Sequence, residues 1–149
     1  MSLEKQVMDK MKVAMKAKDS VALASLRSIK SEILKAKTSG DFSGEITEAD
    51  ELKLVQKLVK QRKDSAKLYQ EQNREDLAKE ELNEVKILEA FLPEQMSEDD
   101  IKKEVKAIIE QTAASSMKDM GKVMGMATKK FAGKAEGAVI SKIVKQELG

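Results

Sequence analysis

A single proline stands in the chain, at position 93, and on both sides of it apolar residues recur every three or four positions. That recurrence is the period of an α-helix, and proline is the residue that a helix interior does not tolerate. The expectation is therefore an all-α fold divided near Pro93. Ala, Leu, Lys, Glu, Gln and Met, all strong helix formers, fill most of the remaining positions. No alternating apolar–polar run argues for a strand.

The helix boundaries follow from capping residues. Ser2 is placed to cap a first helix with Leu3, Val7, Met11 and Met15 along one face, and Asp19 precedes a second with Ala22, Leu26, Ile29 and Ile33 aligned. The segment TSGDFSGEI (38–46) carries two glycines and reads as a loop. Thr47 with Asp50 forms a capping box. The helix behind it should run to about Gln72, roughly 37 Å at 1.5 Å per residue, with Leu52, Val55, Val59, Ala66 and Tyr69 turned inward.

Asn73 can cap a fourth helix carrying Leu77, Leu82, Val85 and Leu88, which ends before Pro93. FLPEQMSEDD is the boundary segment. Beyond it, Ser97 with Asp100 opens a fifth helix with Ile101, Val105, Ile108 and Ile109. Ser116 with Asp119 opens a sixth, which Gly133 stops. A last helix carries Val139, Ile140, Ile143, Val144 and Leu148. The expected organisation is an N-terminal domain of about four helices, residues 1–93, and a small three-helix domain, residues 94–149. So short a C-terminal segment has little core, since a domain of ~60 residues buries only about 60% of its unfolded surface.

Composition excludes several chemistries. Histidine and cysteine are both absent, so a Cys/His zinc site, a Ser-His-Asp triad, a thiol nucleophile and a structural disulfide are ruled out. No residue set for a catalytic centre, a metal or a cofactor stands out. The opening MSLEKQVMDKMK is charged throughout and is not a secretory signal. No apolar run approaches the ~20 residues of a membrane span. The expectation is a cytoplasmic protein without a membrane partner, in keeping with a reducing compartment. Net charge is only +2, so any electrostatic case for nucleic acid has to be regional.

MKDMGKVMGMATKKFAGKAEG, residues 117–137, holds four of the seven glycines, five lysines and two acids. A Walker-type phosphate loop needs a glycine five residues before its Gly-Lys, a Ser or Thr after it and a strand before it. Gly133-Lys134 meets none of these conditions. On a helical wheel Met120, Val123, Met124, Ala127 and Phe131 form an apolar side. Lys118, Lys122, Gly125 and Lys129 form a stripe opposite, at i, i+4, i+7 and i+11.

Each interior glycine costs roughly 1 kcal/mol against alanine, so two in one helix call for a reason. Gly121 flanks the apolar face, where its missing side chain would let a neighbouring helix come close. Gly125 interrupts the lysine stripe, where it would admit a phosphate or a partner backbone. Two readings stand side by side: packing glycines with a solvated lysine face, or a phosphate-contacting surface. Regional charge favours the second, since residues 94–116 carry three lysines and six acids while 117–145 carry seven lysines and two acids.

Other candidates are weaker. Asp99/Asp100 and Glu80/Glu81 could do acid–base work in principle but lie on charged helices. Ser115, Ser116 and Lys118 have the residue types of a Ser-Ser-Lys amidase without its glycine- and serine-rich scaffold. QRKDSAKLYQEQNRED (61–76) is basic at Arg62, Lys63, Lys67 and Arg74, and reads as a solvated helix face.

RKDSAKLYQEQNREDLAKEELNEVKILEAFLPEQMSEDDI (62–101) and DMGKVMGMATKKFAGKAEGAVISKIVKQEL (119–148) closely resemble the GatB/YqeY family. The likeness is to its stand-alone YqeY-like members and covers nearly all of the chain. The same domain forms the C-terminal helical and tail region of the GatB subunit of the glutamine-dependent aminoacyl-tRNA amidotransferase. The resemblance implies an all-helical, tRNA-associated module, with tRNA as partner and amidotransferase subunits or an aminoacyl-tRNA synthetase as further candidates.

It strengthens the phosphate-contacting reading of the stripe, whose candidate contacts are Lys118, Lys122, Gly125 and Lys129, with Lys130 and Lys134 beside them. Family labels extend a carbon–nitrogen ligase activity, with glutamine as amido donor, to such chains. The large catalytic cradle of the amidotransferase, with its ATP and metal site, is missing here. Glu136 departs from the Asp or Asn that is commoner after Gly-Lys-Ala, so the last helix should be capped less well.

Overall fold

The computed structural model describes residues 2–40 and 45–149; of the expected 38–46 loop, residues 41–44 lie outside the described residues. Every regular element among those described is helical. The seven α-helices are α1 (Leu3–Ala17), α2 (Ser20–Thr38), α3 (Glu48–Glu71), α4 (Glu75–Glu89), α5 (Glu98–Thr112), α6 (Met120–Lys130) and α7 (Gly137–Leu148). A 3-10 turn, Met117–Asp119, precedes α6. The fold is all-α, and the chain divides into two compact units, Met1–Leu92 and Pro93–Gly149.

Local signals set most helix starts. Ser2 accepts from the Lys5 N–H and Asp19 from the Ala22 N–H. The Thr47 box is complete: the Asp50 N–H donates to Thr47 Oγ1 at 3.2 Å and the Thr47 N–H donates to Asp50 Oδ2 at 3.0 Å. Ser97 Oγ accepts from the Asp100 N–H at 3.1 Å. Glu136 makes no side-chain cap at the start of α7, as its poor capping chemistry predicts.

Two caps differ from expectation. Asn73 closes α3 instead of opening α4. It adopts a left-handed φ of 60°, its N–H bonds to the Gln70 carbonyl, and the Arg74 N–H bonds to the Tyr69 carbonyl at 2.7 Å. That bond pair is a Schellman motif, and it outcompetes a side-chain cap because it satisfies two orphan carbonyls at once. The same motif ends α1 at Lys18 and α5 at Ala113, both left-handed. The second difference is at Ser116 and Asp119. Ser116 Oγ accepts from Lys118 N at 3.4 Å and Asp119 Oδ2 from Ser115 N at 3.0 Å. The box becomes a tight 3-10 turn, and α6 starts at Met120.

In the first unit α1 and α2 form an antiparallel hairpin, and α3 and α4 pack against each other and against α2. Val7, Leu26, Ile29, Val55 and Leu88 are fully buried at its centre. Full burial of such side chains stabilises by about 1.5–3 kcal/mol each. Met15 is not among them. Steps of four residues drift by 40° each, so from Leu3 the inward face reaches Ala14, and Met15 is left outside. On α4 the same drift buries Ala78 and moves Leu82 to the rim. In the second unit α5, α6 and α7 close around Phe131, which is 1% exposed, with Val105, Val123, Ile140 and Val144.

Candidate nucleic-acid interface

α6 is built from its apolar side outward. Val123 and Ala127 are buried and Met120 and Met124 pack on the core, which fixes the opposite side toward solvent. That outer side carries Lys122, Gly125 and Lys129, all exposed. Seven residues separate the two lysines, about 10 Å along the axis. Neither has an acidic partner among the described residues. Met126, 40% exposed, flanks them; sequence reasoning passed over it, although its i+4 spacing from Lys122 is the signal.

The remaining candidates are placed differently. Lys118 lies in the 3-10 turn ahead of α6, so the stripe on the helix itself has three members. Lys130 forms an ion pair with Glu104 of α5. The Lys134 carbonyl accepts from the Met96 N–H. Lys130 and Lys134 line a cavity of about 420 Å³ together with Glu94, Asp100 and Glu104. The structure brings Lys122, Gly125 and Lys129 together and sets Lys130 and Lys134 among carboxylates.

The glycines also correct an expectation. Among the described residues no helix approaches Gly121: a Cβ there would meet nothing within 4 Å, and the same holds at Gly125. Packing inside the chain does not explain either residue. Both leave backbone open to whatever meets this face.

The basic stretch 61–76 is largely neutralised by neighbours. Arg62 faces Glu84 and Lys63 faces Glu89, each at 3.2 Å. Arg74 forks Asp76, and its hydrogen bond holds the Asp76 carboxyl below the ordinary range. Among the described residues no group of three or more acids is placed to hold a metal ion, and no helix is long and apolar enough to cross a membrane. Of the four aromatics, Phe42 lies outside the described residues, Phe131 is buried, and Phe91 lies under Lys10, whose Nζ is 4.5 Å from the ring centroid.

The model of a family described as Yqey-like protein matches residues 4–148. Over 82 residues the chain is 39% identical to a curated protein of Clavispora lusitaniae named altered inheritance of mitochondria protein 41, mitochondrial. The matched stretch covers 55% of this chain and 46% of that protein, so the likeness spans less than half of the relative's length.

Proposed function

The chain belongs to the YqeY-like family, and from that premise we propose that it is a tRNA-associated helical module without chemistry of its own. It holds RNA phosphates on the outer face of α6. The observation that carries this reading is the pairing of Lys122 and Lys129, exposed and without acidic partners among the described residues, around a glycine whose missing side chain leaves open space. Lysine ammoniums on such a face suit phosphate oxygens. The described aromatics are too few for base stacking, with Phe131 buried, Phe91 under Lys10 and Tyr69 half-buried. Recognition therefore rests on the shape of a folded RNA, with little sequence information. Amidotransferase subunits or an aminoacyl-tRNA synthetase are the proteins in whose company such a module would act.

The test is anisotropy of labelled tRNA titrated with the purified chain over a range of salt. With two or three phosphates engaged, log affinity should fall against log salt with a slope of about −2 to −3. Lys122→Glu with Lys129→Glu should weaken binding at least tenfold, to a similar degree for different tRNAs, with helicity unchanged. Binding equal to the parent at low salt would refute the reading. The chain alone should neither release ammonia from glutamine nor amidate misacylated tRNA. Turnover by the chain alone, abolished by a point substitution, would assign it to the enzymes instead.

A further inference from the structure

The open ends of the α1–α2 hairpin are tied by an ion pair, Lys37 Nζ to Glu4 Oε2 at 2.7 Å. That contact fixes which edges of the two helices run side by side. On α1 the row through Glu4 continues to Met8, Met11 and Met15, at i+4, i+7 and i+11. On α2 the row back from Lys37 runs to Leu34, Lys30 and Arg27. Met11 rests on the core, but Met8, Met15 and Leu34 are 44%, 53% and 62% exposed. Lys30 and Arg27 are exposed beside them, with no acidic partner among the described residues.

Charge is concentrated on the same hairpin. Residues 2–39 hold nine Lys or Arg and four Asp or Glu, whereas residues 45–92 hold nine and twelve. Apolar side chains left in water beside Lys30 and Arg27, cations with no acidic partner among the described residues, serve no purpose in the fold. We infer that this seam is a docking groove for an acidic amphipathic helix of a partner protein.

The chemistry selects that occupant. Unbranched methionines adapt to varied apolar side chains and are favoured where a helix lies in a groove. The cations demand acidic residues flanking the partner's apolar row. The Met8/Leu34 level and the Met15/Arg27 level lie seven residues apart on each helix, about two helical turns, so the partner's anchors fall at i, i+3 or i+4, and i+7. RNA phosphates gain nothing from thioether and alkyl surface. An anionic membrane is a poorer fit because the seam has no Trp, Tyr or Phe to anchor at the lipid interface.

The test uses the full chain as bait for a displayed library of ~16-residue helical peptides, counter-selected against a Met8→Ser/Leu34→Ser chain. Both positions are exposed, so the variant should keep the parent's helicity, and its charge is unchanged. Selected peptides should carry Asp or Glu around an i, i+3/i+4, i+7 apolar row, and should bind the variant at least tenfold more weakly. tRNA affinity should be the same for both chains, so this outcome is independent of the α6 surface. Selection without acidic amphipathic sequences overturns the inference. So does tighter adsorption of the parent than of the variant to phosphatidylserine vesicles with no peptide selected, which assigns the seam to a membrane. A dimer of the parent in sedimentation that the variant lacks overturns it in favour of a second copy.

Discussion

Arg62 on α3 reaches Ser28 on α2, its Nη2 donating to the hydroxyl oxygen at 2.7 Å. The same guanidinium lies with its Nε 3.2 Å from Glu84 Oε2 on α4, paired in charge but out of line for a hydrogen bond. One partly buried side chain thus ties three helices. Removing it leaves Glu84 without its cation in a half-enclosed setting, where an unpaired charge costs more than the pair contributes. Arg62→Met should lose about 1–2 kcal/mol in urea unfolding, and Arg62→Met with Glu84→Leu should recover more than half of that loss. An Arg62→Met chain as stable as the parent would show that the tie contributes nothing.

Glu81 sits beside that cluster. Burial, then repulsion from Glu84, pushes its carboxyl above the ordinary value of 4.5, with Arg62 opposing. A carboxyl raised on folding favours the folded state when protonated, and that advantage is lost as pH rises through the folded-state value. Glu81→Gln should therefore be more stable than the parent at pH 7. The difference should shrink to nothing as pH falls through 4.5. Urea midpoints measured across that range decide it, and an equal gain at all pH values would contradict the assignment.

Ala113 ends α5 at φ 53°, a left-handed conformation that costs a residue with a Cβ about 1–2 kcal/mol. Glycine removes that strain and gives back part of the gain through a freer unfolded chain. Ala113→Gly should stabilise by about 0.5–1 kcal/mol and raise the melting temperature by a few degrees. A drop in melting temperature would mean that the Ala113 methyl group contributes packing that outweighs its strain.

Lys129 and Lys130 are neighbours in sequence with different surroundings, which makes them a matched pair. Lys129 has no acidic partner among the described residues and lies on the outer face, while Lys130 is engaged with Glu104. On the proposed reading, Lys129→Ala should weaken tRNA binding several-fold and leave stability unchanged. Lys130→Ala should change tRNA binding less and cost a few tenths of a kcal/mol, as exposed ion pairs do. Equal effects on tRNA binding would show that α6 offers only diffuse positive charge.

The helices were legible because apolar period and side-chain caps act within a few residues of sequence. Ser2, Asp19, Thr47 and Ser97 each accept a backbone N–H from three residues ahead. Helix ends were less so. Lys18, Asn73 and Ala113 turn left-handed because two backbone bonds hold them there; lysine and alanine give no sign of it, and asparagine suits a helix start as well as a left-handed end. Met15 was misplaced because a four-residue step mimics the helical period over one turn and fails over three. Lys122, Gly125 and Lys129 could be read as one stripe, since a wheel needs only spacing. The pairing of Lys130 with Glu104 could not, because it joins residues 26 apart in sequence across two helices.

The open glycine inside α6, Gly125, also sets a clock on that helix. Helix α5 has no glycine, and Gly137 of α7, like Gly121 of α6, occupies a first turn, where its N–H makes no intrahelical bond. Gly125, interior to its helix, brings α6 nearer to local unfolding than its two neighbours, so its amide protons should exchange with deuterium soonest among the three helices. A ligand seated on that face would need the helix closed, and would slow the exchange of Val123 through Lys129 before it altered anything else in the unit. Occupancy of the surface is therefore readable as time, amide by amide, without knowing in advance what occupies it.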